Sequence, residues 1–387
     1  MGIFARFKRL RPQAEIKIGV LASTSGPMAD YGCTALQGFD LGINYATGGS
    51  GKVAGRAIRL LIEDDQGDEH LAAQKAEHLL DVAGAELLQG CTSSQAAIKI
   101  SRLAQERERL FMVAVAATDV LTAEWFNPYI FRTASTTAQD AAAGGLYAVQ
   151  NLGRNFCFLS QDYIWGQQSR AAWWRTIAKH GGEIVGDIFA PYETTDFRPY
   201  LRETLEKHPE VLVPSWAGAT VKELLLQMRA EGVFDALKVA GNLVDRATLE
   251  QVGEAVAGMI CAVKYHHALP QTSLNEWLVR HHRERYGDDP DLLAESGFTS
   301  AVALVEALKR TDGDPDAGRL IPILEGMVFK GPKGTYTFRP EDHQALQPMY
   351  VAEMTSVANK PYCEPRLIAE IAAEDCAPPL VQPRSQH

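Results

Sequence analysis

Three consecutive hydroxyl residues, Thr92, Ser93 and Ser94, stand between an apolar run that stops at Gly90 and a stretch, 95–107, with helical spacing. A serine at a strand-to-helix junction can attack a carbonyl, hold an anion beside the unpaired N–H groups of the helix start, or simply cap the helix. Attack needs a histidine base within hydrogen-bond reach, and no histidine occupies a strand-end loop in the early part of the chain. No G-x-S-x-G surrounds Ser93 and no HExxH occurs anywhere. The pairs His266/His267 and His281/His282 are sequence neighbours, which point about 100° apart on a helix and share a metal ion poorly. In "GGSGKV" the lysine, Lys52, is followed by valine, and Ala46 stands where a phosphate loop has its first glycine, so this stretch is a turn. The chemistry left is binding, with no cofactor and no catalysis.

Other polar and aromatic residues fall at comparable places. Tyr31 follows the first predicted strand, while Ala116 and Thr118 end a later one; Trp165, Trp216 and Asn242 each follow an apolar run in the second half. One such residue alone is ordinary packing. Six strand-end loops with them describe a cleft that grips a small ligand, its carboxylate held by hydroxyls and helix-start N–H groups.

The elements that must position these residues follow a repeated rhythm. Strands are predicted at 15–24, 57–65, 86–89 and 110–118, with helices at 33–45, 68–81 and 95–107 between them. After "YIFRTAST" the rhythm restarts with helix 137–151 and continues through "NFCFLSQ", "EIVGDIFAP", "VLVPSW" and "LKVAGN". The alternation predicts two α/β lobes, each a doubly wound parallel sheet that gathers ligands at the carboxyl ends of its strands. Two helices, at 273–286 and 295–310, a helical stretch at 316–325, a Gly/Pro-punctuated hairpin at 329–354 and a loose Pro-rich tail complete the reading.

The chain has 387 residues, 46% of them hydrophobic, with 38 Lys+Arg against 48 Asp+Glu and a net charge of -10. That length suits two lobes, and that charge repels polyanions, which argues against nucleic acid as a partner. No apolar run approaches the roughly 18–20 residues that span a bilayer. The segment 1–14 is a basic extension without an apolar export core, either a cytosolic start or the remnant of a precursor. Six scattered cysteines show no metal spacing; Cys363 and Cys376 are either a disulfide, in an oxidising compartment, or two free thiols.

The ordered set "IKIGVLASTSGPMADYG", "VAGRAIRLLIEDDQGDEHLAAQKAEHLL", "TSSQAA", "AAT", "YIFRT", "QDYIWG" and "TDFRPYL" resembles the type I periplasmic binding proteins of the leucine/isoleucine/valine-binding class over residues 15–355. The resemblance implies two lobes joined by three hinge crossovers, near 133–136, 262–266 and 342–348. It implies lobe 1 from 15–134 plus 266–345 and lobe 2 from 135–262 plus 346–387. It further implies a periplasmic protein that closes on a ligand and delivers it to an ABC transporter permease. The alternative is a cytosolic amide sensor of the same fold that acts through a regulator partner. Ser93, with Thr92 or Ser94, would hold the ligand carboxylate; Thr118 would donate and Ala116 accept through its carbonyl; Tyr31, Trp165 and Trp216 would line the cleft.

Two departures from the family pattern matter. Amino-acid binders place a carboxylate after the strand that here reads "VAGNLVD", where this chain has Asn242 and, three residues on, Asp245. A buried unpaired ammonium costs several kcal/mol, so either Asp245 reaches in or the ligand has no ammonium. The two tryptophans favour an aromatic or short aliphatic carboxylate, or an amide, over leucine. Cys91 has no cysteine in "EDDQGDE" to pair with and is expected as a free thiol.

Overall fold

The computed structural model describes residues 15–218, 220–244 and 246–381. Asp245 and the basic segment 1–14 lie outside the described residues. The first sheet contains β1 (Ile16–Ala22), β2 (Lys52–Val53), β3 (Arg56–Asp64), β4 (Leu87–Gly90), β5 (Phe111–Val113) and β6 (Ile130–Arg132), in the order β2-β3-β1-β4-β5-β6. Between them run α1 (Ala29–Ala46), α2 (Glu69–Asp81) and α3 (Ser94–Glu106). All of its pairings are parallel except β2 with β3. Such strands must be apolar on both faces, and β4 and β5 are buried throughout.

The chain then builds a second lobe from α4 (Thr137–Asn151), β7 (Asn155–Asp162), α5 (Ile164–Lys179), β8 (Glu183–Pro191), α6 (Arg198–Glu206), β9 (Val211–Ser215), α7 (Val221–Ala230), α8 (Val233–Ala236), β10 (Lys238–Asn242), α9 (Arg246–Val252) and β11 (Ile260–Val263). It returns to the first lobe as α10 (Ser273–Tyr286), α11 (Leu292–Arg310) and α12 (Ala317–Leu324), then a small antiparallel sheet of β12 (Val328–Gly331), β13 (Gly334–Phe338) and β14 (Ala345–Leu346). Finally β15 (Met349–Ser356) and β16 (Cys363–Ile371) join the second sheet, in the order β16-β15-β11-β10-β9-β7-β8.

Four readings from sequence need correction. The second sheet is mixed, because β15 and β16 add antiparallel to its β11 edge. The strand expected over 110–118 ends at Val113, so 114–118 becomes a strand-end loop. Helix α5 begins at Ile164, which takes Trp165 into its first turn. Residues 363–371 form an edge strand whose nine residues separate Cys363 from Cys376. At about 3.3 Å per residue that exceeds 20 Å, far beyond disulfide reach, and both cysteines are free and buried.

The chain passes between the sheets after β6, after β11 and after β14. Side chains tie these passages together. Gln344 Nε2 donates to Ala134 O at 2.9 Å and Gln347 Nε2 to Thr133 O at 2.9 Å, linking the third passage to the first. Lys333 Nζ donates to Lys264 O at 2.9 Å and to Gln347 Oε1 at 2.5 Å, linking the second to the third. Lys264 Nζ in turn lies 3.1 Å from Asp140 Oδ2 on α4. Burial pushes the Lys333 ammonium below, and the Asp140 carboxyl above, their ordinary ranges. The three passages are thus cross-linked side by side where the lobes join.

Candidate functional site

At the carboxyl edge of the first sheet, Gly90 ends β4 with φ +132, and a Cβ there would lie 2.2 Å from Leu21 O. Only glycine fits that approach, and it turns the chain directly into the hydroxyl stretch. Ser93 is the N-cap of α3: its Oγ accepts from Ala96 N at 3.4 Å, while its carbonyl accepts from Ala97 N at 2.9 Å. Capping uses a lone pair of the hydroxyl and leaves its O–H free to donate. The side chains of Thr92 and Ser94 have no hydrogen-bond partner among the described residues, and Ser94 N and Gln95 N are helix-start donors. These groups converge where an anion is favoured by both hydrogen bonding and the helix dipole.

The 114–118 loop lies alongside, anchored by Ala114 N to Gly90 O at 3.0 Å and Ala116 N to Cys91 O at 3.2 Å. Arg132, 1% exposed, fixes its far end by donating to Thr118 O and Thr122 Oγ1, and to Gln344 Oε1 at 2.6 Å. Burial lowers its pKa to about 10, so the guanidinium stays charged at neutral pH. The carbonyl of Ala116 and the hydroxyl of Thr118 remain without partners among the described residues. The first-lobe residues singled out from sequence therefore share one edge. Tyr31 sits in the first turn of α1, and the residue is 39% exposed. Cys91 is buried and free, and burial raises its thiol pKa well above the ordinary range.

The second-lobe edge is more varied. Asn242 ends β10, and its buried Oδ1 has no hydrogen-bond partner among the described residues. Trp165 is half-buried in the first turn of α5. Trp216 is 5% exposed; its ring meets Phe197 edge-on at 4.8 Å and its Nε1 donates to Thr220 Oγ1 at 3.0 Å. Those contacts make Trp216 part of the lobe's core. Sequence reasoning passed over Tyr163 and Tyr192, exposed rings 5.2 Å apart at the ends of β7 and β8. Their position after two strands was the available signal.

Where the second crossover leaves β11, His266 and His267 lie at the junction of the lobes, beside Leu243 and Val244 of one lobe and Pro290 and Leu292 of the other. Among the described residues no cluster has the composition of a metal site. Burial, and then the neighbouring His267, lower the His266 pKa to about 3. In an unfolded chain the ring protonates near 6.5, so the unfolded state binds more protons between these values. Stability from His266 is complete above pH 6.5 and is lost as the pH falls, with a limiting slope of about 1.4 kcal/mol per pH unit. Urea titrations at pH 7 and pH 4.5 are expected to show a smaller loss for His266→Phe than for the unsubstituted protein; equal losses would refute the assignment.

The architecture and its cleft-edge chemistry have clear counterparts among known proteins. The sequence profile of the periplasmic binding proteins matches residues 15–360. The fold is similar to an ABC-type branched-chain amino acid transporter protein from Rhodopseudomonas palustris, with a TM-score of 0.87 and 30% identity, covering 95% of this chain and 99% of that one. A solute-binding protein from Rhodopseudomonas palustris BisB5, solved in complex with 3,4-dihydroxybenzoic acid, is similar with a TM-score of 0.80 and 25% identity, covering 93% and 98%. The Leu/Ile/Val-binding protein homolog 6 of Brucella melitensis is 23% identical over 90% of this chain and 89% of its own. With two crossover-linked lobes and a family match over nearly its whole length, the chain belongs to the periplasmic binding protein family and is a solute-binding protein.

Proposed function

We propose that this protein is the periplasmic solute receptor of an ABC transporter, and that its ligand is a small carboxylate without an ammonium group, an aromatic acid foremost. The observation that carries the ligand assignment is the contrast between the two edges. The first lobe offers Thr92, Ser93, Ser94 and Thr118 to a carboxylate, while the described end of β10 offers Asn242, an amide whose oxygen has no partner among the described residues. Asp140, a buried acid on α4, is already paired with Lys264 of the second crossover. An ammonium would leave a charge without an opposite partner there, at several kcal/mol. The relative solved with 3,4-dihydroxybenzoic acid supports an aromatic acid in this cleft, whereas the likeness to a branched-chain amino acid transporter protein supports a branched-chain amino acid. Closure follows from contacts on both lobes, since a ligand shifts the balance only by its differential affinity for the two states.

A thermal-shift screen separates the two ligand classes. At 100 times its Kd a ligand adds about 2.7 kcal/mol of stability. Benzoates and deaminated branched-chain acids are expected to raise the melting temperature, and leucine, isoleucine and valine to leave it unchanged. Stabilisation by the amino acids alone would sink the assignment. Ser93→Ala and Thr118→Val are each expected to weaken the binding of a stabilising acid by roughly 1–3 kcal/mol, measured by calorimetry. Unchanged affinity in both would place the carboxylate elsewhere.

A further inference from the structure

Phe158, Val213 and Ala240 point from the second sheet into the apolar layer it shares with α4 and α5. Side chains alternate along a strand, so the next residues on that face toward the carboxyl edge are Ser160 on β7, Ser215 on β9 and Asn242 on β10. They stand side by side. Ser160 is the register partner of Ser215. On β10, Lys238 and Val239 pair with Val211 and Leu212, and three residues further the same register sets Asn242 beside Ser215. A Cβ at Gly241 would lie 3.6 Å from Pro214 O, as that register requires.

The helices extend this row at both ends. Ser169 stands one turn before Trp173, which belongs to the sheet-facing side of α5. Asp140 stands one turn before Gly144 on α4, where a Cβ would come within 2.3 Å of Trp173 and 3.0 Å of Ala262. Ser160, Ser169, Ser215 and Asp140 are all at most 4% exposed, so bulk solvent does not serve them. Ser160 Oγ, Ser169 Oγ, Ser215 Oγ, Asn242 Oδ1 and Asp140 Oδ1 are buried without a hydrogen-bond partner, five of the eight such side-chain atoms among the described residues. Scattered singly, such atoms need separate reasons; gathered on one face, they point to a shared occupant. Pro214, just before Ser215, has no N–H, so the central strand β9 also lacks one ladder donor at this level.

Spacing and chemistry define the occupant. Neighbouring parallel strands lie about 4.8 Å apart, too far for side-chain oxygens in register to bond each other. One small molecule making two hydrogen bonds of about 2.8 Å spans that gap. Asn242 Oδ1 and the ionised Asp140 Oδ1 only accept, whereas serine hydroxyls donate and accept, so the occupant must do both. A cation finds no unpaired charge here, because Asp140 Oδ2 already lies 3.1 Å from Lys264 Nζ.

We propose that this row is a buried water site, in which water molecules bridge Ser160 to Ser215 and Ser215 to Asn242, with Ser169 and Asp140 closing the string at its ends. The string holds the Asn242 oxygen from inside the lobe, so the orientation of the amide is set before any ligand arrives. The inference does not depend on the ligand reading above.

Magnetic relaxation dispersion of water oxygen counts the molecules that a protein holds internally. It is expected to find about two fewer in the Ser160→Ala/Ser215→Ala double variant than in the unsubstituted protein, one for each lost bridge. In urea titrations Ser215→Ala should raise the unfolding equilibrium constant about five- to tenfold, the loss of a satisfied hydroxyl. A dry row predicts the opposite sign, since deleting an unpaired hydroxyl removes a desolvation penalty. An unchanged water count, or an alanine variant more stable than the unsubstituted protein, overturns the proposal. A crystal structure of the unsubstituted protein reads the row with no substitution at all. Solvent peaks within hydrogen-bond reach of both Ser215 Oγ and Asn242 Oδ1 are expected, and a direct bond between those two atoms would overturn the site.

Discussion

Arg132→Met is expected to cost about 3–5 kcal/mol of folding stability and, in the protein that remains folded, to weaken ligand binding as well. The guanidinium is 1% exposed and serves three acceptors, Thr118 O, Thr122 Oγ1 and Gln344 Oε1. Methionine fills comparable space but leaves all three acceptors buried without donors, and each such loss to a charged partner is worth about 1.5–3 kcal/mol. Relaxation and water entry recover part of that sum, which sets the range given. Burial already disfavours the charge, as the lowered pKa of about 10 records, while Asp119 and Asp342 oppose that shift. Affinity falls for a separate reason: Thr118 O is the anchor of the 114–118 loop, and Gln344 ties the third crossover to Ala134 of the first. Arg132→Lys, which keeps the charge but not the planar fork, should fall between the two. Urea melts and calorimetry on both variants read the two effects. A Met variant as stable as the unsubstituted protein would show that the loop is held by its backbone contacts alone.

Arg132 is also a fair measure of what the sequence makes visible. The hydroxyl stretch, the strand-end position of Asn242 and the α/β rhythm were all legible, because each depends on local pattern: an apolar run, a break, a cap, a helical period. Asp68 as the cap of α2 is a case in point, accepting from His70 N at 2.8 Å and Leu71 N at 2.7 Å. Arg132 in "YIFRT" marked a crossover, but nothing local says that its side chain turns inward to Thr118, fourteen residues back, or to Gln344, 212 residues on. Lys333, Gln347 and Lys264 belong to the same class, since their partners come from three separate returns of the chain. Trp216 shows the converse limit. After a strand it reads as a ligand aromatic, and only the placement of Phe197 and Thr220 shows that the ring is already occupied. The edge strand β16 escaped because Glu364, Arg366, Glu370 and Pro365 mask its alternation, as charged edges and proline guard against unwanted pairing.

The second large effect lies far from the cleft's polar groups. Gly38→Val is expected to destabilise the protein by more than about 3 kcal/mol, comparable to a severe core defect. A Cβ at Gly38 would stand 1.9 Å from Ala294 O, and one at Gly297, on the opposing helix, 2.0 Å from Ala35 O. These are backbone atoms, which cannot swing aside as a side chain can, so α1 and α11 would have to separate by more than an ångström along their contact. That contact carries the first lobe's larger apolar cluster, in which Phe39 and Phe298 are fully buried, and close-packed interiors lose dispersion contacts outright when such a gap opens. The consequence reaches beyond the core, because Tyr31 stands in the first turn of α1, and Pro290 and Leu292 at the start of α11 lie at the junction of the lobes beside His266. Gly38→Ala should show a smaller loss of the same sign, and a ligand that binds both lobes should restore part of either loss by mass action. If Gly38→Val melts within a degree or two of the unsubstituted protein, the two helices are not packed backbone to backbone.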